Sequence, residues 1–174
     1  MRAEREQRFS QLFRAQMSAV RGYTRTLVVE TDVDDIVSAT FRTAWQRLDD
    51  IPSLSVRPWL FGVARNHVLN HVRAERRRKA LVDVLGTIQP PSHAELHHGQ
   101  IDPARIGTLR SALDQLSDSE REIIQLAAWH ELMSAEIATV LDIRPNAARV
   151  RLHRARQHLS DLVDAAEAKA VQDA

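Results

Sequence analysis

Arginine and asparagine set along one side of a helix can read the edges of DNA bases, and the segment after Pro145 carries that combination. Asn146, Arg149, Val150 and His153 recur at helical spacing, with the apolar stripe Ala148, Leu152, Ala155 and Leu159 opposite them. An Asn amide pairs with the adenine edge and an Arg fork with the guanine edge, each good pair adding about 1–3 kcal/mol of discrimination. Arg144, Arg151 and Arg154 fall nearer the rim, where cations fix a helix on phosphates. No acid lies between Arg144 and Arg156.

A second cationic run, Arg73, Arg76, Arg77, Arg78 and Lys79, ends a helix that also carries Asn66 and Asn70. These arginines suit duplex or single-strand phosphate. The chain's formal net charge is only +1, so the two patches reflect local placement and not bulk charge. Two such patches point to two contacts with a polyanion; one alone would read as a solvated helix face.

Other chemistries find little support. The absence of cysteine rules out disulfides and thiolate metal sites and fits a reducing cytoplasm. His93, His97 and His98 have metal-compatible spacing if helical, but adjacent Pro90 and Pro91 and the lack of a fourth ligand make a polar linker the better reading. No paired carboxylates, nucleophile elbow or phosphate-binding glycine loop appears, so no catalytic residues, cofactor or metal are assigned and the chain is expected not to be an enzyme. No apolar stretch reaches the roughly 18 residues that cross a bilayer, and Met1 to Gln16 lacks a signal-peptide core. A cytoplasmic protein with no membrane insertion is expected.

The elements that must position these side chains are helical. Of 174 residues 44% are apolar, with five Gly and six Pro, and alternating strand patterns are scarce. A first helix is predicted over Arg5 to Tyr23 and a short second one over Tyr23 to Val29. Asp32 is expected to cap a third, with Asp35 in its first turn and Ile36, Val37, Thr40, Phe41, Ala44, Trp45 and Leu48 inward. Pro52 interrupts, and a fourth helix starts near Ser55, burying Trp59, Leu60, Val63, Ala64, Val68 and Val72. The spacing of Trp59 and Phe61 places them in the core or on its flank rather than against a base. This gives an all-α fold of two small helical domains: 1–80, a linker over 81–103, and 104–174.

In the second domain Leu109, Leu113 and Leu116 mark a helix, and Ser117 with Glu120 forms a capping box. The next helix buries Ile123, Ile124, Leu126 and Ala127. A short helix over Ser134 to Leu141 turns inward Ile137, Ala138 and Leu141; Met133 stands where a Ser cap is common, so either Ser134 caps one residue later or the helix start is weaker. Asp142, Ile143 and Arg144 make a tight turn, Ile143 plugging its corner, and Pro145 opens the arginine-rich helix. Two helices joined by three residues form a helix-turn-helix.

Leu116 to Leu159, LSDSEREIIQLAAWHELMSAEIATVLDIRPNAARVRLHRARQHL, resembles the fourth region of sigma factors of the extracytoplasmic-function class. DVDDIVSATFRTAWQRL, Asp32 to Leu48, and RPWLFGVARNHVLNHVRAERRR, Arg57 to Arg78, resemble their second region. The resemblance covers roughly Arg5 to Leu162. It implies a promoter-specificity subunit with core RNA polymerase and promoter DNA as partners, and an anti-sigma factor as inhibitor. It implies polymerase docking through Asp35, Ser38, Ala39, Arg42 and Gln46, although the family commonly has Gln and an acid at Ser38 and Ala39. It implies minus-ten recognition with capture of a flipped base through the helix carrying Asn66, which sits in the family's Ala-Arg-Asn motif, and the loop before it. Asn70 stands where an acid is usual. Asn146, Arg149 and His153 would face the minus-thirty-five bases, and Asp142 stands where Gly is usual in the turn. A stand-alone helix-turn-helix regulator is the competing reading; the second basic helix argues against it.

Overall fold

The computed structural model describes residues 2–82 and 103–172. The linker expected over 81–103 falls almost wholly outside the described residues, as do His93, His97 and His98. Seven α-helices and one 3₁₀ turn are present in the described part, with no strand. Two compact units are distinguished, Met1–Glu95 with Thr139–Asp142, and Leu96–Ala138 with Ile143–Ala174.

The first unit is built on α1 (Arg2–Arg25), α2 (Glu30–Gln46) and α3 (Val56–Val82), each packed on the other two. The separate helix expected over Tyr23 to Val29 is absent: α1 runs on to Arg25, and the chain then turns. The cause is local. Thr26 returns both its backbone N–H and its hydroxyl to the Tyr23 carbonyl, and Leu27 and Val28 bond back to Thr24. The β-branched run that follows has little propensity to restart a helix at once.

Asp32 does not cap α2. The cap position is Val29, which makes no side-chain capping bond, and the helix starts at Glu30. Asp32 lies inside the first turn, where a carboxylate still favours the positive helix end, and it accepts from His71 Nε2 at 2.9 Å. Asp35 therefore falls beyond the first turn. The inward stripe is otherwise as expected, with Ile36, Val37, Thr40, Phe41 and Ala44 buried and Leu48 buried in the 3₁₀ turn Leu48–Asp50; Val33 joins them and Trp45 is half-buried. Phe9 and Phe13 of α1, tilted against each other, meet Phe41 and Trp45 of α2 in edge-on ring contacts, centroids 4.7–6.4 Å apart.

On α3 Leu60, Ala64 and Val68 are buried while Trp59, Val63 and Val72 are half-buried. Phe61, expected in the core or on its flank, is fully enclosed and stacks on Tyr23. Trp59 lies under the Arg47 guanidinium, 5.7 Å from the ring centre, a cation–π contact that occupies the ring face.

Then follow α4 (Pro103–Gln115), α5 (Asp118–Ala128), α6 (Ser134–Leu141) and α7 (Pro145–Gln172); the second unit holds α4, α5, α7 and α6 as far as Ala138, with α4 and α5 each packed against α7. Leu113 and Leu116 are buried and Leu109 is half-buried. The capping box forms in full: Ser117 N–H donates to Glu120 Oε2 at 2.9 Å and Glu120 N–H to Ser117 Oγ at 3.4 Å. Arg121, a residue that periodicity does not single out, reaches back to the carbonyls of Leu113, Asp114 and Leu116 at 3.0, 3.2 and 3.0 Å. It thereby satisfies carbonyls that the end of α4 leaves without intrahelical partners.

Candidate nucleic-acid interface

The helix-turn-helix is held from within. Ile137 and Ala138 are buried on α6, and Ala148, Leu152 and Ala155 on α7; Leu141 and Leu159 are half-buried. Ile143 N–H donates to the Ala138 carbonyl at 3.0 Å, and Asp142 takes the left-handed conformation with φ 52°. That conformation disfavours most side chains, and Asp tolerates it better than most. Ser134 opens α6 as its first helical residue, not as its cap. Met133 stands at the cap position, and Glu136 supplies what its side chain cannot, accepting from Met133 N–H at 2.8 Å. This is the carboxylate half of a capping box without the hydroxyl half.

Helix α7 therefore turns outward the predicted residues. Arg144, Asn146, Arg149, Val150, Arg151, His153 and Arg154 are all exposed. Asn146, Val150 and His153 share the side opposite the apolar stripe, and Gln157, one turn further on, continues it. Gln157 was legible from the same spacing and is a missed candidate. Arg149 Nη2 donates to Asn146 Oδ1 at 2.8 Å, so two of the candidate base readers are bonded to each other. His158, on the flank, pairs through Nδ1 with Glu120 at 3.0 Å and ties α7 to the start of α5. The Ser117 hydroxyl and N–H, with the His158 ring, hold the Glu120 carboxyl down to about 2.

On α3 the side chains of Asn66, Asn70, Arg73, Arg76 and Arg77 are exposed away from the buried stripe, and Arg78, in line with Leu60 but further along the helix, is exposed as well. Arg73 lies 3.5 Å from Asn70 Oδ1, and Arg78 pairs with Glu75. The turn ahead of α3 holds Leu54 with its side chain almost wholly in water. Sequence spacing missed it, because an apolar residue between Ser53 and Ser55 belongs to no stripe.

The outer side of α2 gathers the remaining predicted set: Asp35, Ser38, Arg42 and Gln46 are exposed and Ala39 is half-buried. Behind them Thr43 Oγ1 lies 3.0 Å from His67 Nε2 of α3. Burial, with the Arg42 charge, pushes the His67 imidazole below its usual range, partly offset by a backbone hydrogen bond with Ala39.

Among the described residues no group of His, Cys, Asp or Glu is placed to hold a metal, and no helix is long and apolar enough to cross a membrane. An all-helical chain with a helix-turn-helix and two exposed basic helices defines a DNA-binding class of protein. The family comparisons narrow it. Residues 12–78 match the model of sigma-70 region 2, and residues 106–159 that of sigma-70 region 4. The RNA polymerase sigma factor CnrH of Cupriavidus metallidurans is 34% identical over 149 residues, 79% of this chain and 76% of that protein. The ECF RNA polymerase sigma factor RpoE of Cereibacter sphaeroides is 29% identical over 171 residues, 92% and 93% of the two chains. Among solved structures, CnrH in complex with the cytosolic domain of CnrY has a TM-score of 0.58 at 32% identity, covering 90% of this chain and 88% of that one. The fold is also that of the sigma factor RpoE in complex with the anti-sigma factor NepR from Bartonella quintana, TM-score 0.70 at 24% identity, over 90% and 96% of the chains.

The chain belongs to the sigma-70 family, in its extracytoplasmic-function class. It is an RNA polymerase sigma factor, a regulatory subunit that directs transcription initiation at promoters.

Proposed function

We propose that this sigma factor divides its work among three surfaces. The outer side of α2, Asp35, Ser38, Ala39, Arg42 and Gln46, docks on core polymerase. Asn66 and Asn70 of α3 make the polar contacts near the melted minus-ten bases, with Arg73, Arg76, Arg77 and Arg78 on phosphates. Pulling a base from the stack costs a few kcal/mol, which polar edges and cationic contacts offset; Leu54, held in water ahead of α3, is placed to add apolar contact. Helix α7 enters the major groove at minus-thirty-five through Asn146, Arg149 and His153, with Arg144, Arg151 and Arg154 on the backbone. The working division is 1–80, a linker over 81–103, and 104–174.

One observation carries the reading: a single chain holds both sigma segments in order, each with its own exposed cationic helix. Separate elements can then be touched by separate bodies, each with a footprint too small to bind tightly alone. The stand-alone regulator gains no support, because its first domain would have no reason to match sigma region 2. A cytoplasmic location follows from work on the polymerase, and an anti-sigma factor is the expected inhibitor, as the solved relatives with NepR and CnrY suggest.

Run-off transcription with purified core polymerase and a genomic promoter library tests this. Initiation at a defined motif only when the chain is added supports it. Asn66→Ala should impair opening more than duplex binding, and Arg149→Ala should weaken upstream recognition. If both variants transcribe like the parent, the residue assignments fail even though the family stands.

A further inference from the structure

We infer that Asn146 is a positioning residue for Arg149, and that the guanidinium it holds reads the acceptor edges of guanine and thymine through its donors. This rests on the proposal above that α7 lies in the major groove. Taken alone, an asparagine there reads as an adenine contact, because its amide offers one acceptor and one donor at the spacing of adenine N6 and N7. The observed geometry works against that pairing. Arg149 Nη2 donates to Asn146 Oδ1 at 2.8 Å. A guanidinium has donors only, so the amide must turn its oxygen toward it. That oxygen is the atom an adenine N6–H would need.

What the held guanidinium still offers outward is its remaining N–H groups, all donors. Guanine presents N7 and O6 to them, and thymine presents O4 beside its methyl group. Val150, exposed next to Arg149, supplies the apolar surface that a thymine methyl contacts. The bond also narrows the range of Arg149 rotamers before DNA arrives. A preorganised fork loses less freedom on binding than a free one. Both residues lie on adjacent turns at the start of α7, where the fixed φ of Pro145 sets the backbone.

The test uses the full chain with core polymerase and promoter duplexes randomised across the upstream element. Bound sequences are counted for the parent, Asn146→Ala, Asn146→Asp, Arg149→Ala and the Asn146→Ala/Arg149→Ala double variant, with a thermal melt of each to show that it folds. Arg149→Ala should lose a guanine preference of roughly 5- to 150-fold at one base pair. Asn146→Ala should lose preference at that same base pair, and the double variant should be no worse than Arg149→Ala. Asn146→Asp should keep the guanine preference, because a carboxylate still accepts from the guanidinium. Three results overturn the inference while leaving the groove reading intact. One is loss of an adenine preference at a different base pair in both Asn146 variants. Another is losses that add in the double variant. The third is an Asn146→Ala profile like the parent's while Arg149→Ala is impaired. If Arg149→Ala leaves the upstream profile unchanged, the groove reading falls and takes the inference with it.

Discussion

Tyr23 of α1 and Phe61 of α3 stack with ring centroids 4.5 Å apart and planes 14° from parallel, both fully buried. Offset stacking is one of the arrangements that the ring quadrupoles favour. The contact fixes the helix that carries Asn66 against the helix that opens the chain. Phe61→Ala should cost about 3–5 kcal/mol in urea unfolding, the range for emptying a large aromatic site. Phe61→Leu should cost clearly less. A loss below about 1 kcal/mol for the alanine variant would contradict the packing described.

Arg121 collects three carbonyls at the end of α4 and pairs with Asp118 at 3.3 Å. Hydrogen bonds involving a charged group each contribute about 1.5–3 kcal/mol, less where water can replace them. Arg121→Ala should therefore destabilise the chain by about 2 kcal/mol. Arg121→Lys should recover only part of this, because an ammonium lacks the planar fork that spans several acceptors. Chemical denaturation of the three proteins decides it, and equal stability of the lysine variant and the parent would refute the fork.

Glu120 is held down to about 2 from an ordinary value of 4.5. A depressed folded value means that the unfolded chain takes up a proton first as pH falls. The stabilisation is complete above about pH 4.5 and drains away toward about pH 2. Glu120→Gln should flatten that part of the stability–pH curve. Ser117→Ala should cost about 1 kcal/mol at neutral pH as a lost cap, and should also move the acid limb upward.

His67 is likewise depressed, from 6.5, chiefly by burial and then by Arg42. The neutral imidazole is the form that folding favours. Its contribution is complete above about pH 6.5 and falls as pH drops toward the lower folded value. His67→Gln should remove the slope in that window. Arg42→Ala should raise the folded value and narrow the window from below, readable by NMR titration of the His67 ring.

Arg76 and Arg77 lie fully on the outer side of α3. If each neutralises a phosphate, a single alanine substitution should lower the salt slope of promoter binding by about 0.7 to 0.9, with little change in which promoters are chosen. A change of promoter choice at constant slope would instead mark a base contact.

Most of the fold was readable because apolar residues recur at helical spacing: the stripe Ile36–Val37–Thr40–Phe41–Ala44 and the stripe Ala148–Leu152–Ala155 are both inward. The Ser117–Glu120 box was readable because capping chemistry is local. What escaped was decided by partners far along the chain. Asp32 looked like a cap, but His71, 39 residues on, takes its carboxylate. The short helix over Tyr23 to Val29 was lost to bonds of Thr24 and Thr26, which spacing alone does not weigh. The interface candidates were legible as exposed positions. That Asn146 and Arg149 are joined was not, since an i, i+3 pair can bond to each other or to something else.

Arg5 lies 2.8 Å from the Trp45 carbonyl, 2.7 Å from Asp49 and above the Trp45 ring. Helix α2 has no cation of its own in its last turn, so the negative end of its dipole is met by a side chain forty positions earlier. Shortening the N-terminus past this arginine would leave the proposed docking helix whole in sequence yet frayed at its far end. Weakened assembly with the polymerase would then report on a residue outside the proposed docking set.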